Sequence, residues 1–413
     1  MRPDSPLVGQ IIAAHGGGAA AAGELVSVEV DRIYLQDGNS PTVARLFAEY
    51  GVDRVADPDR VAFVFDHSVI VPDRDMADRV REATAFAKRI GARIYPRGAG
   101  ISHVIALEEG WYQPGSIVLG SDSHTCTGGA VQSLALGMGA SDIAAAMVTG
   151  QTWLKVPETV WLRVHGQGHP ALRPKDVVLE VLRVFGQRPF LYKSVEWTGD
   201  WAASLSLDSA ASVASMGVEL GAKCVFLPDA PGRGDGLVPI RPPAGAAVLE
   251  LSIEGLRPRI AMPHSPRNSV DIDLAAGERI DYVFLGSCTN GRLEDIAEAA
   301  RIVRDRSVHP DVHFLVTPGS SRVYAEALRL GYLETLTRAG ALVTPAGCGA
   351  CVGTQGTVPA AGERVLSTMN RNFRGRMGNP DADIYLSSPL VAASAALIGR
   401  IPSADELVCH VDR

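Results

Sequence analysis

Short β-branched runs alternate with longer amphipathic stretches through most of the sequence, and few architectures accommodate that rhythm. Strand-like runs fall at 60–65, 116–120, 159–164, 247–253, 282–286, 312–317, 341–344, 364–368 and 383–386. Between them, 74–90, 130–149, 175–185, 293–305, 322–330 and 391–398 repeat apolar residues at helical spacing. Asp73 and Asp208 sit where helix N-caps are expected, and Gly91 and Gly186 where helices should stop. The alternation predicts an α/β chain whose sheets are covered by helices.

A length of 413 residues admits two to four domains. Turn-rich stretches at 228–243 (PDAPGRGDG, IRPP) and 257–272 (RPRIAMPHSPRNSVDI) are read as loops. They divide the chain into an N-terminal α/β domain, 1–195, a middle one, 196–275, and a C-terminal one, 276–413. The Gly/Ala run at 16–23 reads as a connection. With 46% hydrophobic and 21% charged residues the composition is that of a globular protein and excludes a disordered chain or a disulfide scaffold. A net charge of −7 recruits neither nucleic acid nor an anionic membrane. Only Lys88, Lys155, Lys175, Lys193 and Lys223 are lysines, a compositional bias toward arginine. The apolar Ile11-Ile12-Ala13-Ala14 is cut short by His15, and no apolar run is long enough to span a bilayer, so the expected compartment is the cytoplasm.

In such a compartment cysteines serve as metal ligands, catalytic groups or small core residues. Cys288 lies in Gly286-Ser-Cys-Thr-Asn290 and Cys348 and Cys351 in Gly347-Cys-Gly-Ala-Cys351, each loop leaving the carboxyl end of a strand. Three soft thiolates suit an iron–sulfur cluster, zinc or copper(I), and small neighbours permit close backbone approach. Three ligands, one fewer than a cubane has irons, leave a position open for substrate. Spacing alone equally allows a dithiol redox pair or buried structural cysteines. Cys126, Cys224 and Cys409 have no such context and read as core or surface residues.

Two further constellations carry chemistry. Asp66-His67 ends VAFVF, Asp122-Ser123-His124 ends SIVLGS, and His103 lies in GAGISH. A carboxylate beside an imidazole orients it and raises its basicity, which suits general acid–base work; the plain alternative is a capping Asp next to a surface His. The segment 369–376, MNRNFRGR, follows the strand-like RVLST, and its arginines can clamp carboxylates or phosphates.

Together VFDHSVIVP, GSDSHTCTGGA, GQTWLKVPETV, FLGSCTNGRLEDI, VTPGSSRV, PAGCGACVGTQG and STMNRNFRGRMGNP resemble the aconitase superfamily of iron–sulfur hydro-lyases, most closely the large subunits of 3-isopropylmalate dehydratase and homoaconitase. The resemblance implies three α/β domains around a cluster cleft, without the swivelling fourth domain. It implies a 4Fe–4S cluster held by Cys288, Cys348 and Cys351, whose fourth iron binds substrate. Asp66, His67, His103, Asp122, Ser123, His124 and Glu219 would form the acid–base shell, with His67 as proton donor to the departing hydroxyl. Gln36, Asn290, Asn370, Arg371 and Arg376 would line the substrate site.

Two positions depart from the family pattern. Leu35-Gln36-Asp37 is of aconitase type, where isopropylmalate dehydratases have a histidine, and Ser215 stands where the family often has asparagine. The expected substrate is a hydroxy di- or tricarboxylate, isopropylmalate of leucine biosynthesis first, with a citrate-type acid or an unusual malate derivative as alternatives. In the family the C–H base is a serine of the swivelling domain. Ser320-Ser321-Arg322 reads instead as a helix start, so the expected partner is a small subunit of about 160–200 residues carrying that serine. Rival readings are a cluster-regulated RNA-binding protein, disfavoured by the acidic charge, and a zinc or dithiol protein.

Overall fold

The structure is a computed structural model and describes residues 5–18 and 21–411. Ala19 and Ala20 of the Gly/Ala run lie outside the described residues. The chain divides into two units, each discontinuous in sequence: Met1–Arg97, Ile105–His165 and Gln187–Ser252 form the first, and Gly98–Val104, Gly166–Gly186 and Ile253–Arg413 the second. Among the described residues no helix is long and apolar enough to cross a membrane.

The first unit contains a five-stranded parallel sheet ordered Arg93–Tyr95, Val61–Val64, Arg32–Gln36, Ile117–Gly120, Leu134–Gly137. VAFV and IVLG are buried at every position, as expected of strands covered on both faces. The helices Ser40–Glu49 and Arg74–Arg89 cover it through Phe47 and Phe86, whose rings meet edge to face at 5.0 Å, with Phe63 of the sheet 5.7 Å from Phe86. Asp73 caps the second of these helices by accepting from the Met76 N–H. A four-stranded parallel sheet of the same unit runs Cys224–Phe226, Ser194–Thr198, Thr159–His165, Val248–Ser252, and Leu25–Glu29 pairs antiparallel with Gln151–Lys155.

The second unit holds a seven-stranded sheet. Five strands are parallel, in the order Asp383–Leu386, Arg364–Ser367, Tyr282–Leu285, His313–Val316, Leu342–Val343. Its core packs Ile296, Ala299 and Val303 of the helix Leu293–Val303 with Leu390, Val391 and Ala395 of the helix Pro389–Ile398. All three parallel sheets are wound alike: the strand that comes first is central, the next two are added on one side, and the fourth returns to the other. No repeat of sequence accompanies this repeat of topology.

Three local expectations are corrected. Residues 130–149 are not one helix. A 3-10 segment, Ser123–Val131, ends at Gln132 with φ +59°, LALG pairs as an edge strand, and only Ala140–Thr149 is helical. Alanine-rich helix propensity yields there to a free sheet edge. Residues 257–272 are not a loop throughout, since Arg259–Ala261 and Ser269–Asp271 form an antiparallel pair on the large sheet; the intervening prolines and serines disguise strands of only three residues each. Ser206, not Asp208, caps the helix Leu207–Ser215, by accepting from the Ser209 N–H; Asp208 instead lies within its first turn.

Glu196 lies fully inside the four-stranded sheet, accepting from the Leu7 N–H at 2.7 Å, and burial pushes its carboxyl from an ordinary 4.5 up to about 7. A proton held more tightly by the folded chain stabilises it fully below about pH 4.5, and this contribution is lost as pH rises through about 7. Glu196→Gln is therefore expected to match the wild type in thermal melts near pH 5 and to gain on it, by up to about 3 kcal/mol, by about pH 8.5; a constant difference across that range would contradict the assignment.

Candidate functional site

In the first unit, Gln36, Asp66 and Asp122 sit at or just beyond the carboxyl ends of three adjacent parallel strands. The sheet's winding reverses between Arg32–Gln36 and Ile117–Gly120, the position at which open α/β sheets bind ligands. His67 Nδ1 lies 2.7 Å from Asp66 Oδ1 and 3.7 Å from Asp37 Oδ1, and its Nε2 is 3.7 Å from Asp122 Oδ2. Asp122 Oδ1 accepts from the His124 N–H at 2.8 Å and lies 3.3 Å from its Nδ1. His124 Nε2 in turn lies 3.1 Å from Glu219 Oε1. These acids and imidazoles thus form one continuous alternating row. Ser123, half-buried, opens the 3-10 segment that carries His124. That segment packs closely: a Cβ on Gly129 would collide with the Val225 carbonyl oxygen, so the position requires glycine.

Gln36 Oε1 accepts from the Gly38 N–H, turning the amide's donor end outward from its own turn. Asp37, which the Leu35-Gln36-Asp37 pattern contains but to which sequence reasoning gave no role, is buried. It accepts from the His67 N–H at 3.0 Å, while its Oδ2 has no hydrogen-bond partner among the described residues. Burial first, and then the Asp66 charge, push its carboxyl above the usual range, against the pull of His67. Ser215 is fully buried, its carbonyl 3.5 Å from Cys126 Sγ.

In the second unit the winding reverses between Tyr282–Leu285 and Arg364–Ser367. Cys288 follows the first of these strands and Asn370 the second, and Asn370 Nδ2 donates to Cys288 Sγ at 3.4 Å. Arg376 Nη2 donates to Cys351 Sγ at 3.2 Å, its guanidinium 5.6 Å from the Phe373 ring. The thiols of Cys288, Cys348 and Cys351 are all buried, and a ring nitrogen of His103 lies within 4.8 Å of Cys288 Sγ. Arg371 is half-buried on the same loop as Asn370. Cys126 and Cys224 are buried and Cys409 is exposed. Ser320 caps the helix Ser321–Arg329 by accepting from the Val323 N–H, the helix-start role expected of Ser320-Ser321-Arg322.

Asn290 turns inward: its Nδ2 donates to Asp295 and its Oδ1 faces Lys175 Nζ at 3.5 Å. Lys175 is the second functional candidate, after Asp37, that sequence reasoning missed. It is 1% exposed, an unusual state for a lysine, and only its place in the rare lysine set could have drawn attention to it. Its neighbour Asp176 is buried too, its carboxyl pushed up to about 7 by desolvation.

The family model for the aconitase family (aconitate hydratase) matches residues 10–230 and 273–399. The chain belongs to the aconitase family. The relatives it resembles include a 3-isopropylmalate dehydratase large subunit of Thermoanaerobacter pseudethanolicus, 39% identical over 97% of this chain and 99% of that one. Another, a 3-isopropylmalate dehydratase large subunit 1 of Pyrococcus furiosus, is 38% identical over 97% and 98%. The fold is shared with Thermococcus kodakaraensis aconitase X (holo-form), at a TM-score of 0.59 and 13% identity over 98% of both chains. Membership of the aconitase family implies an iron–sulfur cluster, and the residues of the second unit fit one. Three buried thiols lie on loops at strand ends, two receive N–H donors, and the buried Asn370 Oδ1 has no hydrogen-bond partner among the described residues.

Gly349, between the paired cysteines, has φ +58°, and a Cβ there would meet Thr317 Oγ1 at 2.5 Å. Gly349→Ala is expected to destabilise the apo chain by about 1–3 kcal/mol in urea unfolding and to lower iron uptake on reconstitution; an unchanged midpoint and full iron content would show that the loop does not need this conformation.

Proposed function

We propose that the chain is the cluster-carrying large subunit of a two-subunit hydro-lyase that removes water from a hydroxy di- or tricarboxylate and returns it at the neighbouring carbon. The supporting observation is the similarity, over nearly the whole of both chains, to relatives named as isopropylmalate dehydratase large subunits. Isopropylmalate is accordingly the first substrate and a citrate-type acid the second, the latter favoured by Gln36, whose amide presents donors suited to an additional carboxylate.

Cys288, Cys348 and Cys351 would hold a 4Fe–4S cluster, which when bound supplies a Lewis acid for the substrate hydroxyl. Asp66, buried, orients His67 through Nδ1, so that Nε2 is the atom that gives a proton to departing hydroxide and takes it back from water. Asp122 ties His67 to His124 and Glu219, and this row can redistribute a proton without exposing a bare charge. His103 adds a polar group beside Cys288 in the second unit, and Ser123 adds one to the row of acids and imidazoles in the first. Arg371 and Arg376 hold substrate carboxylates, and Asn370 supports Cys288. Asn290, engaged by Asp295 and Lys175, acts by fixing the Cys288 loop.

The C–H base belongs, in this reading, to a serine of a small partner subunit, and the setting is the cytoplasm, where thiols stay reduced. The division into three α/β domains at 1–195, 196–275 and 276–413 is proposed as well. Three separately wound sheets support it, although the strand Thr159–His165 belongs to the second of them. The test is reconstitution under anaerobic conditions, following the absorbance of the conjugated alkene product. The chain alone is expected to be inactive, and the chain mixed with a small subunit of an isopropylmalate dehydratase active on isopropylmalate. Asp66→Asn should lower kcat by about 10²–10⁴-fold with cluster content unchanged. Turnover by the chain alone, or by a chain lacking one of the three cysteines, would overturn the proposal.

A further inference from the structure

Lys175 lies in the first turn of the helix Pro174–Phe185, where a cation opposes the helix dipole, and it is buried as deeply as the hydrophobic core. Both features cost stability unless the ammonium is well compensated. It donates to the carbonyl oxygens of Thr368, at 2.5 Å, and Met369, at 2.6 Å, and faces Asn290 Oδ1 at 3.5 Å. Thr368 and Met369 immediately precede Asn370, and Asn290 lies two residues beyond Cys288. Thr368 Oγ1 additionally accepts from the Gly286 N–H at 3.0 Å and lies 3.1 Å from the Gly286 carbonyl oxygen. One ammonium therefore grips both loops that leave the sheet where its winding reverses.

From this geometry we infer that Lys175 is a positioning residue for the cluster site, acting by holding the Asn370 amide in register with the Cys288 sulfur. Without it, the carbonyls of Thr368 and Met369 lose their shared donor and the Asn370 loop is free to shift against the Cys288 loop. The 3.4 Å contact from Asn370 Nδ2 to the sulfur is the first to suffer, because it spans the two loops. A positively charged clasp also suits loops that must hold anionic thiolates. Arginine cannot replace it, since a planar guanidinium does not fit a cradle shaped for a single ammonium with three converging acceptors.

This inference rests on the cluster reading above, and its test separates the two. Wild type, Lys175→Met, Asn370→Ala and the double variant are reconstituted anaerobically. Iron and sulfide are counted, and the rate of iron release to a chelator is measured, with urea unfolding of each apo chain as the control for folding. Lys175→Met is expected to take up the cluster and release iron about tenfold faster than wild type. In the Asn370→Ala background the same change should add less than about twofold, because residues that act as a unit are not additive. Equal factors in both backgrounds, or release at the wild-type rate, would overturn the inference and leave the cluster reading intact. Failure of the wild type itself to take up iron and sulfide would overturn both. Should Lys175→Met fail to fold, Asn290→Ala removes one acceptor and leaves the ammonium on its carbonyls. Carried through the same cycle, it is expected to speed iron release in the wild-type background and not in Asn370→Ala; equal factors in the two would again overturn the inference.

Discussion

A parallel sheet wound outward from its first strand must somewhere send two neighbouring loops in opposite directions, and the gap they leave is where backbone groups and side chains can converge. Asp37, Asp122, Cys288 and Asn370 all depend on that geometric necessity. In one sheet the gap lies between the strands that precede Asp37 and Asp122; in another it lies between those that precede Cys288 and Asn370. The strands are short, apolar and buried on both faces, so the polar residues cannot retreat into the sheets and gather at the ends.

Polar groups gathered in this way must satisfy one another, and each unit does so differently. In the first, carboxylates alternate with imidazoles, so no two carboxylates of the row are neighbours without a group between them that can carry or release a proton. A row of carboxylates alone would be heavily penalised by burial, as the raised pKa of Asp37 beside Asp66 indicates. In the second, soft sulfur atoms are approached by amide and guanidinium N–H groups, and a single lysine closes the loops from behind. The first arrangement suits proton movement and the second suits holding a soft metal centre.

Much of the site was legible in the sequence because its members lie within a few residues of recognisable strand ends. Asp66-His67, Asp122-Ser123-His124 and the cysteine loops are local patterns, and their placement follows once the strand is known. Glu219 was named from family resemblance alone; its contact with His124 is made across 95 residues of chain. Lys175 and Asp37 were missed for a related reason: Lys175 belongs to no motif, in Leu35-Gln36-Asp37 attention falls on the glutamine, and what distinguishes both is burial and distant partners. The misread segment at 130–149 shows the same limit from the other side, since an edge strand exists only because a neighbour offers its backbone.

The amino-acid order by itself determined the α/β class, half of the strand positions, the cysteine and acid–imidazole pairs and the family, because each is written in local periodicity or contiguous motifs. Only the tertiary structure decided which strand lies beside which, and hence that all three sheets share one winding and that Lys175 reaches across 115 residues to Asn290 and 194 to Met369. The reason is physical: local patterns fix what a segment prefers, whereas burial and hydrogen bonding between distant segments arise only when the whole chain has collapsed and each polar group must find its partner.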